Sequence, residues 1–290
     1  MTINIRKVTV LGTGVLGSQI AYQTAFHGFE VTAYDINDEA LDAARTRLSH
    51  LVATYRDEVS GAGDGKAEHT AAAIVLTSDL AEAVREADLV IEAVPETLAI
   101  KQQTYAFVNA AAPEHAIFAT NSSTLLPSDI KDFTGRPDKF LALHFANQIW
   151  KRNIAEVMGT PETDPAVFRA LVDFAGAIGM VPIEIHKEKA GYVLNTMLGP
   201  FLISGIELAA GGYATPETID RTWRIVTGMS AGPCQMLDIV GLNTPYNILL
   251  SRGNDKADEL AAWLKANYID KGKLGVATGE GFYRYDTASN

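Results

Sequence analysis

The stretch KVTVLGTGVLGSQIAYQTAFHGFEVTAYD, residues 7–35, decides how the rest of the chain is read. A β-rich run ends in glycines, residues 15–28 carry apolar side chains at helical spacing, and 29–35 are β-rich again. That pattern predicts a βαβ unit. Gly12, Gly14 and Gly17 spell GTGVLG where the first strand gives way to the helix. Glycine makes up 24 of the 290 residues, so the spacing alone says little. Its setting says more, because Asp35 stands at the end of the second strand, 18 residues beyond Gly17. In a dinucleotide-binding turn Gly12 permits the tight bend, Gly14 removes the side chain that would strike a pyrophosphate, and Gly17 lets helix and sheet approach. The helix N-terminus, with Val15 and Leu16 in its first turn, then offers amide donors to the phosphates. In that role Asp35 would accept the ribose hydroxyls of NAD and repel a 2′-phosphate, and Ile36 and Asn37 bring no cation to offset it. NAD(H) is therefore expected over NADP(H). Two plainer readings stand beside this one: a glycine turn without a ligand, and Asp35 as the cap of a helix beginning at 37–39.

The pattern continues outward from this unit. A long helix is predicted over 38–59, then a strand over 73–76, a helix over 79–87, a strand over 88–94 and a helix over 99–109. Strands follow over 116–121, 139–145 and 154–158, then a helix over 164–179 and a strand over 180–185. Strands with few polar interruptions, separated by helices, indicate a mostly parallel sheet covered on both faces. The glycine-rich polar segment 60–70, SGAGDGKAEHT, reads as an exposed loop. Past 187–191 the β signal fades, and 192–210, 214–226, 234–249 and 256–269 read as helices, with Thr215 as a cap and Pro216 in the first turn. The expected class is α/β: a Rossmann-like dinucleotide-binding domain over 1–188, followed by an all-helical domain over 189–290.

Composition narrows the function classes. With 47% apolar residues the chain can bury a large core, and 35 carboxylates against 24 Lys plus Arg disfavour a nucleic-acid partner. Cys234 is the single cysteine, which excludes an intrachain disulfide and a thiolate metal cluster and reads as a buried core thiol. No metal site is expected. The N-terminal residues enter a strand without the charged lead and apolar stretch of a signal peptide, and no run reaches about 18 apolar residues, so a soluble cytoplasmic protein without membrane contact is expected.

Chemistry at the carboxyl edge of such a sheet would draw on Asn121 to Thr124, on His144 and on Asn195. Taken singly, the hydroxyls of Ser122, Ser123 and Thr124 read equally well as turn caps, His144 as a core histidine and Glu156 as a strand-surface charge. Glu156 is the odd member, set between Ala155 and Val157 in an apolar strand where an ionised carboxylate is costly unless paired. A histidine is the economical partner, and the pair would fix the imidazole tautomer for acid–base work.

The stretches VTVLGTGVLGSQIA, YDIN, ADLVIEAVPE followed by Lys101, ATNSSTLLPSDI, HFAN, AEVMG, EKAGYVLN, GPCQMLDIVGL and GEGFYRY occur in this order along the whole chain. In them the chain resembles the 3-hydroxyacyl-CoA dehydrogenase family, above all its bacterial diketoreductase-type members. The resemblance implies His144 as the catalytic histidine, Glu156 as its partner, Ser123 as the active-site serine and Asn195 as the asparagine near the start of the helical domain. Ser122 takes the serine's place if the turn is displaced by one residue. It implies cofactor contacts at Gly12, Gly14, Val15, Leu16, Gly17, Asp35, Ala93, Glu96, Lys101, Asn121 and Ser123, with Glu92 behind the nicotinamide side. It also implies a helical domain that closes the substrate cleft and forms a homodimer.

Three departures bear on the substrate. Ala146 and Gln148 stand beside the histidine where the family has phenylalanine and proline, and Thr196 follows Asn195 in place of an arginine. The basic residues Arg45, Arg47, Arg56 and Lys66 of the helical arm are diluted by Asp57, Glu58, Asp64 and Glu68. An NAD-dependent oxidoreductase acting on 3-hydroxyacyl-CoA or 3-hydroxybutyryl-CoA is expected first. A diketoreductase acting on free β-keto or β,δ-diketo esters is the enzymatic alternative, and an NAD-binding structural protein without turnover is the alternative of another class.

Overall fold

The computed structural model describes residues 3–285, and the chain divides into two units, Met1–Val193 and Leu194–Asn290. Tyr192 and Val193 are hydrogen-bonded within the first unit, to Ser122 and Glu156.

In the first unit the elements run β1 (Lys7–Leu11), α1 (Val15–Phe26), β2 (Glu30–Tyr34), α2 (Asp38–Glu58), α3 (Lys66–Ala73), β3 (Val75–Thr77), α4 (Leu80–Val84) and β4 (Leu89–Glu92). They continue with α5 (Leu98–Ala111), β5 (Ile117–Thr120), α6 (Pro127–Ile130), β6 (Phe140–Phe145), β7 (Ile154–Gly159), α7 (Pro165–Ala177) and β8 (Val181–Ile185). The eight strands form one sheet in the order β3-β2-β1-β4-β5-β6-β7-β8. Strands β1 to β6 are parallel, β7 runs antiparallel to β6, and β8 is parallel to β7. The order reverses between β1 and β4, the point where a doubly wound sheet opens a crevice at its carboxyl edge.

Alternate side chains of the central strands feed two cores, as a two-residue period requires. Leu89, Ile91, Ile117, Ala119, Leu141 and Leu143 enter one; Val90, Phe118 and Phe140 enter the other, against Tyr105. Helices begin where side chains cap them: Asn37 accepts from Ala40 N at 2.9 Å ahead of α2, and Asp164 accepts from Ala166 N at 2.7 Å ahead of α7, which starts on Pro165.

One loop assignment is corrected. Residues 66–70, expected to be exposed, are the start of α3, whose Ala67 and Thr70 are buried and whose Ala67 carbonyl accepts the Tyr22 hydroxyl at 2.7 Å. The carbonyl of a helix in contact with the core gives that interior hydroxyl its partner.

The second unit is helical: α8 (Leu194–Ala210), α9 (Pro216–Thr227), α10 (Pro233–Val240), α11 (Asn243–Ser251) and α12 (Asp255–Asn267). Thr215 caps α9 as expected. The single helix expected over 234–249 is two, broken at Gly241 and Leu242. Cys234 is fully buried with Leu237, Leu249 and Leu264, and burial, then the Asp220 carboxylate, push its thiol far up. Asp220 accepts from Cys234 N, Gln235 N and the Tyr283 hydroxyl, and Asp238 accepts from Phe282 N, Tyr283 N and the Tyr285 hydroxyl. These two interior acids tie the closing GFYRY segment to the helices. Among the described residues no helix is long and apolar enough to cross a membrane.

Candidate active site

The glycine turn packs backbone against backbone. Gly12 has φ +91°, and a Cβ there would stand 2.6 Å from Ala93 O. A Cβ on Gly17 would stand 1.9 Å from Gly12 O, so helix and turn meet backbone to backbone. Around Gly14 nothing beyond its immediate chain neighbours lies within 4 Å of a Cβ, and Val15 beside it is 63% exposed. Backbone amides of the first turn of α1 have no intrahelical acceptor, which leaves them able to donate to an anion.

Asp35 does not cap α2, a role taken by Asn37. Its Oδ2 accepts from Thr13 N at 2.8 Å and from the Thr13 hydroxyl at 2.6 Å, while Oδ1 accepts from Ile36 N at 2.8 Å. The carboxylate is thereby locked to the glycine turn, where its remaining lone pairs suit a ribose diol. The residues fit NAD.

At the end of β4, Glu92 is fully buried. Lys101 Nζ donates to its Oε1 at 2.6 Å, Val94 N to the same atom at 3.0 Å, and the Thr120 hydroxyl to Oε2 at 2.8 Å. Burial pushes the Glu92 carboxyl up, against the Lys101 ammonium and the Thr120 hydroxyl, which pull it down. Lys101, itself 1% exposed, also reaches Glu96 Oε2 at 3.3 Å.

Glu96 organises the serine turn. Its Oε1 accepts from the Ser122 hydroxyl at 2.5 Å, Ser123 N at 2.9 Å, Thr124 N at 2.8 Å and the Thr124 hydroxyl at 2.8 Å. Burial works to raise this carboxyl, but the Ser122 hydroxyl, the Thr124 amide and the Lys101 charge together bring it down to about 2. Asn121 ties strand ends, its Oδ1 accepting from Phe145 N at 3.0 Å.

With its turn so held, Ser123 presents Oγ to His144 Nε2 at 3.1 Å, and His144 Nδ1 meets Glu156 Oε2 at 2.8 Å. His144 is 4% exposed and Glu156 fully buried. An ionised carboxylate only accepts, so Nδ1 donates and Nε2 is left to take up or release a proton next to the serine hydroxyl. The second Glu156 oxygen accepts from Val193 N at 2.9 Å. Tyr192 stacks on the imidazole, with ring centroids 4.4 Å apart.

Ser123, His144 and Glu156 are thus brought into one hydrogen-bonded row, and Ser122 is turned toward Glu96. The glycines, Val15, Leu16, Asp35 and Ala93 gather at the first turn. Asn195 stands in the first turn of α8, in the helical unit. Glu96, expected among the cofactor contacts, has one oxygen filled by the serine turn. Thr13, Thr120 and Tyr192 went unassigned from sequence. Thr13 lies between two of the motif glycines and was open to reading; nothing periodic marks Thr120 or Tyr192.

Residues 7–189 match the 3-hydroxyacyl-CoA dehydrogenase NAD binding domain, and residues 191–285 match the 3-hydroxyacyl-CoA dehydrogenase C-terminal domain. The chain is similar to a solved diketoreductase structure, described in terms of dual catalysis of dicarbonyl compounds, at 63% identity and TM-score 0.94, covering 97% of this chain and 99% of that one. It is 34% identical to the mitochondrial hydroxyacyl-coenzyme A dehydrogenase of Mus musculus, covering 98% of this chain and 92% of the relative. With the probable 3-hydroxybutyryl-CoA dehydrogenase of Bacillus subtilis it shares 31% identity, over 98% of this chain and 99% of the relative.

Proposed function

The chain belongs to the 3-hydroxyacyl-CoA dehydrogenase family, and we propose that its NAD-dependent oxidoreduction of a 3-hydroxy or 3-keto compound runs through Ser123, His144 and Glu156. NAD(H) held at the glycine turn would supply the hydride chemistry of this reaction in either direction. His144 Nε2 gives its proton to the developing alkoxide in reduction and takes it back in oxidation. Glu156 holds the ring by Nδ1 and stabilises its positive charge. Ser123 Oγ donates to the substrate oxygen as negative charge grows there, and Asn195 is proposed as a further donor on the resemblance alone. Gly12, Gly14 and Gly17 with the first turn of α1 would hold the pyrophosphate, and Asp35 the adenosine ribose.

The observation that carries this reading is the row Glu156, His144, Ser123, joined at 2.8 and 3.1 Å. NADH oxidation by a His144→Ala variant tests it: turnover near that of the unchanged protein would remove the histidine from the mechanism.

A specific observation favours a second reading of the substrate, as a free dicarbonyl compound instead of a CoA thioester. The basic residues of the α2–α3 arm already have partners. Arg45 pairs with Asp42 at 2.6 Å, Arg56 with Glu68 at 3.3 Å, Arg47 donates to Thr13 O at 3.2 Å, and Lys66 lies 3.8 Å over the Phe26 ring. The carboxylates among them lower the net positive charge this arm can offer to CoA phosphates. Similarity to the diketoreductase supports the same reading. NADH oxidation with acetoacetyl-CoA, free acetoacetate and a β,δ-diketo ester separates the two: turnover with the thioester alone overturns the second.

We also propose a cytoplasmic homodimer built on the helical unit, where Ile225, Val226 and Tyr213 are 75%, 78% and 80% exposed. A monomer mass in light scattering at micromolar concentration would overturn it.

A further inference from the structure

The Tyr192 ring and the His144 imidazole lie 15° from parallel, and the Tyr192 hydroxyl donates to Ser122 O at 2.7 Å. One side chain thus touches both the histidine and the serine turn. Tyr192 is 1% exposed, and its backbone is left-handed, with φ +53°. That conformation is unfavourable for a bulky residue and persists where surrounding contacts over-determine it. The next amide, Val193 N, donates to Glu156 Oε1 at 2.9 Å. Consecutive residues therefore hold the two halves of the dyad, a ring against the imidazole and an amide on the carboxylate.

The imidazole needs such a neighbour. Its bonds to Glu156 and Ser123 are made at Nδ1 and Nε2, both in the plane of the ring. The torsion about Cβ–Cγ is intrinsically soft, and a hydrogen bond loses little over a small departure from line, so these two bonds oppose a slight roll of the ring only weakly. A flat, buried ring at stacking distance opposes the roll.

We infer that Tyr192 is a positioning residue of the acid–base site, its ring setting the tilt of the His144 imidazole and its hydroxyl tying the serine turn to that same ring. The inference rests on the proposed role of His144 and deepens it.

Two substitutions separate the parts. Tyr192→Phe keeps the flat face and loses the bond to Ser122 O, whereas Tyr192→Leu keeps apolar bulk and loses the face. Tyr192→Leu should lower kcat about 10- to 100-fold, with KM for NADH changed by less than about twofold, and Tyr192→Phe should retain most of the turnover. A readout independent of turnover is the proton–carbon spectrum of histidine-labelled protein. The His144 ring protons, identified by their loss in His144→Asn, should lie upfield in the shielding cone of the stacked ring, stay there in Tyr192→Phe and move downfield in Tyr192→Leu. Should Tyr192→Leu not fold, Tyr192→Met carries the same comparison. Equal turnover in all variants, or His144 resonances that do not move on loss of the ring, overturns the inference. If His144→Ala keeps its turnover, the acid–base reading fails instead, and the ring shifts still report whether Tyr192 sets the imidazole.

Discussion

His144 and Glu156 are register partners across the antiparallel pair β6 and β7, and their side chains meet at 2.8 Å. Residues directly opposite on neighbouring strands share a face of the sheet, so the reversal of β7 delivers the acid to the histidine without a loop having to carry it. Both are interior, and a buried carboxylate left without its partner is costly. Because the two work as one unit, single losses should not add. His144→Ala should lower turnover by about 10² to 10⁴, Glu156→Gln by about 10² or more, and the double variant no further than His144→Ala alone. Steady-state NADH oxidation on all three checks this, and additive losses would mean that the residues act separately.

Ser122 and Ser123 are adjacent in sequence but have different partners, Glu96 and His144. Ser123→Ala removes the proposed donor to the substrate oxygen and should cost about 10- to 10³-fold in turnover, with NADH affinity unchanged. Ser122→Ala should instead lower the melting temperature, since its hydroxyl also accepts from Leu125 N at 3.1 Å. Kinetics and thermal melts on the pair decide the register; the reverse pattern would put the catalytic hydroxyl at Ser122.

The fold holds Glu96 at about 2, below the ordinary 4.5, so it favours the ionised form. The resulting stability is fully present above 4.5 and is lost as pH falls toward about 2. Glu96→Gln keeps an acceptor for the turn and drops the charge. The stability gap between the unchanged protein and this variant should be constant above that window and close within it. The gap should be small, because the carboxylate is partly exposed and screened by solvent. Urea melts across the window measure it, and a gap that does not narrow on acidification would show that the charge contributes nothing to the turn.

The central strands were legible because each is an unbroken apolar run, as in IFAT and FLALHF, whose every residue is buried. The pairing of His144 with Glu156 was legible from one oddity, an acid between Ala155 and Val157. Helix α3 was not, because KAEHTAAA follows a glycine-rich stretch and shows no apolar stripe, only Ala67 and Thr70 facing inward. The turning role of Glu96 was hidden because its donors lie 26 to 28 residues away. Tyr192 was hidden because a left-handed aromatic after Gly191 has no period to betray it.

Asp35 and the glycine turn form one hydrogen-bonded piece through Thr13, which sits between Gly12 and Gly14. The protein itself thus orients the carboxylate, and in the proposed ribose contact its charge would set the cofactor preference. Asp35→Ser should weaken NADH binding about 10- to 100-fold, the worth of charge-assisted hydrogen bonds, while removing the repulsion that excludes a 2′-phosphate. Its preference for NADH over NADPH should collapse accordingly. Thr13→Val keeps the charge but takes away one of its two Thr13 donors, so it should weaken NADH less and leave the preference in place. Fluorescence titration of both cofactors against the three proteins checks the pattern; equal affinity of the unchanged protein for NADH and NADPH would show that Asp35 does not read the ribose.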